Sequence, residues 1–207
     1  MYGNVLFFHD TLRGVSHNEQ LLSLRPKEVL LSAAADFIRV GAIMREEQLR
    51  QLSTAVGYKL KGRGTWVTCA ESCTGGWVAK ALTDIAGSSA YFDRGFVTYS
   101  NAAKHDLLGV KESTLAEYGA VSDAVVREMA LGALREANAD FAVSISGVAG
   151  PDGGTAEKPV GTVWFAFAKR DGKVSATKQL FPGDRDEIRL QAAVFALQTL
   201  LDDFLQN

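Results

Sequence analysis

Histidine and cysteine are scarce along these 207 residues, three of the first and two of the second. Each shortage removes a class of chemistry. Cys69 and Cys73 stand four apart, with Cys73 inside a Gly-rich turn signal. Two thiols so placed make neither the disulfide framework of a small secreted domain nor a four-ligand zinc spacing. A reducing cytoplasm is the expected compartment, with no metal and no cofactor expected. His9 and His17 fall in a weakly patterned N-terminal stretch, which leaves His105 beside Lys104. Neighbours on a helix point about 100° apart, so Lys104 and His105 are not expected to share a pocket, and a serine–histidine pair has little support.

Charge of one sign is also missing. The 22 Lys and Arg offset 24 Asp and Glu to a net −2, so no basic footprint points to nucleic acid or to an anionic membrane. No run reaches the roughly 18 to 20 apolar residues of a membrane span; Asp36 and Arg39 interrupt the apolar stretch over 29–44. The start carries no basic n-region of a signal peptide. What remains is the balance of an ordinary globular chain, 47% hydrophobic and 22% charged, enough to bury one sizeable core.

Residues 1–43 differ in character from the rest, with a Ser-Leu-Arg-Pro break at 23–26 and a helical piece over about 26–43. They read as an N-terminal extension, either a regulatory arm or the product of a mis-assigned start ahead of Met44. An amphipathic run then opens at Met44 and passes through Leu49, Leu52, Val56 and Leu60 to Gly62-Arg63-Gly64. Short apolar strands are expected at 65–70 (TWVTCA), 92–99 (FDRGFVTY) and 141–146 (FAVSIS), with Gly95 at a bulge or close approach. Helices are expected at 75–85, 102–108 and 112–118, and from an N-cap at Ser122 to 137. Strands at 161–168 and 173–181 join through Asp171-Gly172, a hairpin signal, and a final helix starts at Asp184 or Asp186. This order implies a three-layer α/β/α sandwich around a mixed, mainly parallel sheet of about five strands.

Ligands of open α/β sheets bind beyond the carboxyl ends of strands. Three strands end in conspicuous turns: Glu71-Ser72-Cys73-Thr74-Gly75-Gly76, then Tyr99-Ser100-Asn101 leading to Lys104, then Ser146-Gly147-Val148-Ala149-Gly150-Pro151-Asp152-Gly153-Gly154. Parallel neighbours would bring all three to one rim. A serine between a strand and a Gly-Gly helix start can offer its hydroxyl beside backbone N–H groups that favour developing negative charge; equally, Ser72 or Thr74 can simply cap the helix. Lys104 serves as a base only when neutral. At an ordinary pKa near 10.4 less than ~0.1% is neutral at pH 7; lowering it by about 2 to 3 raises that to several per cent or more, at ~3 to 4 kcal/mol. The alternative is a solvated helix lysine. The Gly147–Gly154 turn, with Lys158 nearby, suits a phosphate or carboxylate or is an ordinary long loop. It is neither a P-loop nor a dinucleotide fingerprint. No G-x-S-x-G surrounds Ser72, Gly75 stands where S-x-x-K needs lysine, and no His-Glu-x-x-His occurs. Cys73 as nucleophile would lack a histidine partner in these turns. Glu71 could hold a lysine or a ribose hydroxyl, or end the strand.

Together, Ala70–Gly76, Gly95–Asn101 with Lys104, Gly147–Gly154 and Lys158-Pro159-Val160-Gly161-Thr162-Val163 resemble the C-terminal domain of the CinA family, from about Met44 to the end. The resemblance implies a metal-free, cofactor-free amidohydrolase of pyridine nucleotide salvage, converting nicotinamide mononucleotide and water to nicotinate mononucleotide and ammonia. It implies a Ser-Lys pair, which maps onto Ser72 and Lys104. Oxyanion and substrate contacts are then expected from Thr74, Gly75, Gly76, Tyr99, Ser100, Asn101, Ser146, Gly147 and Gly150. The resemblance is compatible with a homodimer. Its rivals are a catalytically silent paralogue that binds a nucleotide, and a DNA-competence partner, which the absent basic stripe disfavours.

Overall fold

The computed structural model describes residues 26–206, with side chains from residue 43 onward. Two units divide the chain, Met1–Gly41 and Ala42–Asn207, and the site lies in the second. The extension read over residues 1–43 falls, through residue 25, outside the described residues. Helix α1 (Pro26–Arg63) is continuous where two pieces meeting near Met44 were expected. No proline follows Pro26 within it, and its glycines, Gly41, Gly57 and Gly62, cost only about 1 kcal/mol each. Leu49, Leu52, Val56 and Leu60 recur at three and four residues and are buried. The helix stops at Gly64, whose φ of 62° lies in the left-handed region where glycine carries no Cβ penalty.

The remaining elements are β1 (Val67–Glu71), α2 (Trp77–Thr83), β2 (Phe96–Val97), α3 (Asn101–Leu108), α4 (Glu112–Tyr118), α5 (Asp123–Glu136), β3 (Phe141–Gly147), β4 (Thr162–Lys169), β5 (Val174–Leu180) and α6 (Arg185–Thr199). Their sheet order is β2-β1-β3-β4-β5. Ser122 caps α5 by accepting from the Val125 N–H, and Asp184 caps α6 in a reciprocal box with Glu187. The strand expected over 92–99 shrinks to two residues and an isolated bridge between Val67 and Phe92. Between them Gly95 passes so close to Cys69 Sγ that an added Cβ would sit 2.7 Å from it, the close approach expected there.

Alternation along the strands sets the layers. Val143, Ile145, Val163, Phe165 and Phe167 pack with α1, α2 and α6, whereas Ala142, Ala166 and Ala168 pack with α3 and α5. Small residues on that second face let helices approach closely; at Gly132 of α5 an added Cβ would lie 2.0 Å from the Leu108 carbonyl oxygen.

Strand direction places the chemistry. β1 pairs in parallel with β2 and β3, β3 pairs antiparallel with β4, and β4 antiparallel with β5. Only β4 therefore opposes the rest. The carboxyl ends of β1, β2, β3 and β5 all reach one rim, and β5 feeds that rim with the start of α6.

Candidate active site

β1 ends at Glu71, and Ser72 begins the turn that follows. The Ser72 N–H donates to the Ile145 carbonyl at 2.9 Å, and the Gly75 N–H closes the turn onto the Ser72 carbonyl at 3.1 Å. Lys104 stands on α3, whose cap Ser100 accepts from the Ala103 N–H at 3.0 Å. Although the helix starts at the surface, the Lys104 side chain runs inward and is only 1% exposed. Its Nζ lies 3.0 Å from Ser72 Oγ and 2.8 Å from the Thr98 carbonyl oxygen. The Thr98 N–H is tied back to the Glu71 carbonyl at 2.8 Å, so β1 and β2 fix both partners of the amine.

Burial pushes the Lys104 pKa below the ordinary 10.5, with Cys73 acting in the opposite sense. Removal from water disfavours the ammonium form. Two polar contacts do not replace a hydration shell, and neither is a carboxylate. A neutral amine fits both contacts: it donates N–H to the Thr98 carbonyl and turns its lone pair to the Ser72 hydroxyl.

A pocket of about 250 Å³ opens onto this pair, lined also by Cys73, Tyr99, Asn101, Ser146, Gly147 and Arg185. A larger cleft of about 1050 Å³ lies beside α1 and α2, lined by Trp77, Arg189 and other residues. It exposes the back of the Gly75-Gly76 turn, but its Thr54 hydroxyl donates to the Arg50 carbonyl and its Lys80 pairs with Asp84, so among the described residues no base is set against a hydroxyl there, and chemistry rather than size selects the smaller pocket.

Other residues singled out from sequence divide between the pocket and structural work. Tyr99 is 62% exposed at the pocket, and its hydroxyl accepts from Arg185 Nη2 at 2.9 Å. Asn101 and Gly147 line the cavity. Gly150, at φ 78°, turns its carbonyl to Arg185 Nη1 at 2.6 Å. Ser146 faces the pocket, yet its hydroxyl donates to the Ala120 carbonyl at 2.8 Å. Ser100 is occupied as a helix cap, and the Thr74 hydroxyl is buried with no partner among the described residues. Lys158 Nζ reaches the Tyr118 carbonyl at 3.0 Å rather than the pocket.

One expectation needs correcting. The Gly75 and Gly76 N–H groups are not free for an oxyanion: Gly75 donates to the Ser72 carbonyl, and Gly76 donates to Glu71 Oε2 at 3.0 Å. Glu71 is fully buried, and its carboxylate also accepts from the Val78 N–H at 3.2 Å and the Ala79 N–H at 2.8 Å. It holds neither a lysine nor a substrate hydroxyl; it satisfies the orphan donors that open α2.

Cys73 loses its candidacy on burial and His105 on geometry. Burial raises the Cys73 thiol to about 12, which leaves almost no thiolate near neutral pH. The His105 ring bonds the Val110 carbonyl through Nδ1 at 2.9 Å and lines a different hollow with Glu112 and Leu115.

The family model for the CinA C-terminal domain matches residues 49–204, which contain every one of these residues. The chain belongs to the CinA C-terminal domain family. It is similar to a nicotinamide-nucleotide amidohydrolase PncC of Enterobacter agglomerans, 70% identical over 79% of this chain and 100% of the relative. A protein of that same name from Escherichia coli K12 is 65% identical over 79% of this chain and 99% of its own length. Among solved structures, the competence/damage-inducible protein CihA of Agrobacterium tumefaciens superposes with a TM-score of 0.73 at 48% identity, covering 74% of this chain and 94% of that one.

Two arginines of this CinA domain escaped the sequence reading. Arg185 lines the pocket, and Arg189, one helical turn on, reaches the Cys73 and Thr74 carbonyls of the turn after β1. Both sit on α6, more than 100 residues beyond Ser72, and only their place at the start of a helix after a strand hinted at a rim position.

Proposed function

We propose that this chain is an amidohydrolase that converts nicotinamide mononucleotide and water to nicotinate mononucleotide and ammonia, with Ser72 as nucleophile and Lys104 as its base. The observation that carries this reading is a buried amine 3.0 Å from a primary hydroxyl, at a rim where four strands end. The names of the relatives that match over their full length supply the substrate.

The chemistry follows from the contacts. Neutral Lys104 takes the Ser72 proton as Oγ attacks the carboxamide carbon, and the carbonyl π pair moves onto oxygen. The ammonium so formed donates to the Thr98 carbonyl, a charge-assisted bond that strengthens as charge develops. Lys104 then returns its proton to the nitrogen as the C–N bond breaks, and ammonia leaves an ester on Ser72. Water attacks that ester with Lys104 again as base, and the C–O bond to Ser72 breaks to restore the hydroxyl and release the carboxylate.

A pocket of about 250 Å³ is below the roughly 300 to 1,000 Å³ typical of ligand-sized sites. It suits the nicotinamide ring and leaves the phosphoribosyl group at the mouth. Arg185 stands there, bonded among the described residues only to the neutral Tyr99 hydroxyl and Gly150 carbonyl, and can take the 5′-phosphate in the forked geometry that guanidinium favours.

Ammonia release from nicotinamide mononucleotide, with the product confirmed by mass, tests the reading. Ser72→Ala is expected at background with its circular dichroism unchanged. Arg185→Met is expected to raise KM about 10- to 100-fold, the loss of one charge-assisted contact of about 1.5 to 3 kcal/mol. Wild-type rates in Ser72→Ala, or no ammonia from the wild-type chain, would remove the proposal.

A further inference from the structure

The turn from Ser72 to Gly76 is almost fully tied down. Of its five N–H groups, Ser72 donates to Ile145, Gly75 to the Ser72 carbonyl, and Gly76 to Glu71. Among the described residues, the Cys73 and Thr74 N–H groups donate to no backbone or side-chain oxygen. The carbonyls show the reverse pattern. Ser72 accepts from Gly75, and Thr74 accepts from the Trp77 N–H at 3.3 Å. Arg189 then donates from Nε to the Cys73 carbonyl and from Nη2 to the Thr74 carbonyl, each at 3.1 Å.

A trans peptide points its N–H opposite to its C=O. Among the described residues the plane joining Cys73 to Thr74 is held at its carbonyl end by Arg189 alone, so this guanidinium sets the direction of the Thr74 N–H. Arg189 is itself held: its guanidinium lies 5.1 Å over the Trp77 ring, and Nη1 is 3.3 Å from Asp186. One planar fork spanning two successive carbonyls is a task that lysine, with a single nitrogen, cannot perform.

We propose that Arg189 is a positioning residue, which aims the Thr74 N–H at the oxyanion formed when Ser72 attacks. This rests on the Ser72 nucleophile argued above. Donors preset toward developing charge raise the rate without tightening the ground state. The loss on removing Arg189 therefore falls on kcat and spares KM.

The test compares wild type, Arg189→Lys and Arg189→Met. Steady-state rates with nicotinamide mononucleotide are paired with inhibition by two ligands of the same phosphoribosyl scaffold. One is the product, nicotinate mononucleotide. The other is the 3-formylpyridine mononucleotide, whose hemiacetal with Ser72 places an oxygen where the oxyanion forms. Arg189→Met is expected to lose about 100-fold in kcat with KM within about threefold. Affinity for the aldehyde should fall with kcat/KM, while product affinity is unchanged. Arg189→Lys keeps a positive charge beside the Trp77 ring and guards against a folding failure; it is expected to lose at least tenfold in kcat at a near-wild-type melting temperature. Equal losses of aldehyde and product affinity, or full kcat in Arg189→Lys, would overturn the proposal. An active Ser72→Ala would instead bring down the nucleophile assignment, so the two failures are separable.

Discussion

Replacing Lys104 by methionine changes stability in a way that depends on pH, and the structure gives both the sign and the slope. Burial holds the Lys104 pKa below its ordinary 10.5. In the window between the lowered value and 10.5 the unfolded chain binds a proton that the folded chain does not, so wild-type stability rises with pH there. The contribution is complete above 10.5. It is lost at about 1.4 kcal/mol per pH unit as the pH falls through the window, and is constant below the folded pKa. Lys104→Met has no such proton. At the alkaline end the variant should be the less stable, by about 1 to 3 kcal/mol, because the Thr98 carbonyl is left buried without its donor. Toward neutrality that deficit should shrink. Urea unfolding of both proteins at steps between pH 7 and 10.5 measures the difference, in which the other titrating groups cancel. A difference that stays constant across the window would refute a depressed lysine, and with it the base assigned to the reaction.

Two further outcomes follow from other buried groups. Cys73→Ser should keep activity within a few fold, and the native thiol, held near 12 by burial, should resist iodoacetamide at pH 8; loss of turnover together with rapid alkylation would make sulfur the nucleophile. Glu71→Gln should lower stability by about 2 to 4 kcal/mol, because a buried carboxylate accepting three N–H groups gives way to an amide with only one acceptor oxygen. An unchanged melting temperature would show that the opening of α2 does not depend on that charge.

The three strand-end turns were legible in sequence because each carries its own signal: a short apolar run, then Ser, Gly or Asn where the backbone must bend. Ser72 and Lys104 stood out among them once their order matched a family pattern. The bounds of α1 were less legible, since the composition changes near Met44 while the helix runs from Pro26 to Arg63. Glu71 was ambiguous for a related reason. A carboxylate at the end of a strand has no assigned partner until α2 folds back and presents three N–H groups to it.

Local pattern by itself determined which segments become strands and helices, where Ser122 and Asp184 cap them, and which turns carry polar groups, because those depend on residues within a few positions of one another. Tertiary structure alone decided that β5 runs in the same direction as β1, β2 and β3, which returns Arg185 and Arg189 to the rim occupied by Ser72. It also decided which N–H groups of the turn after β1 are consumed among the described residues, and that Lys104 points into the protein rather than into water. Each of these is a matter of direction between segments distant in the chain, and spacing along a sequence carries no information about direction in space.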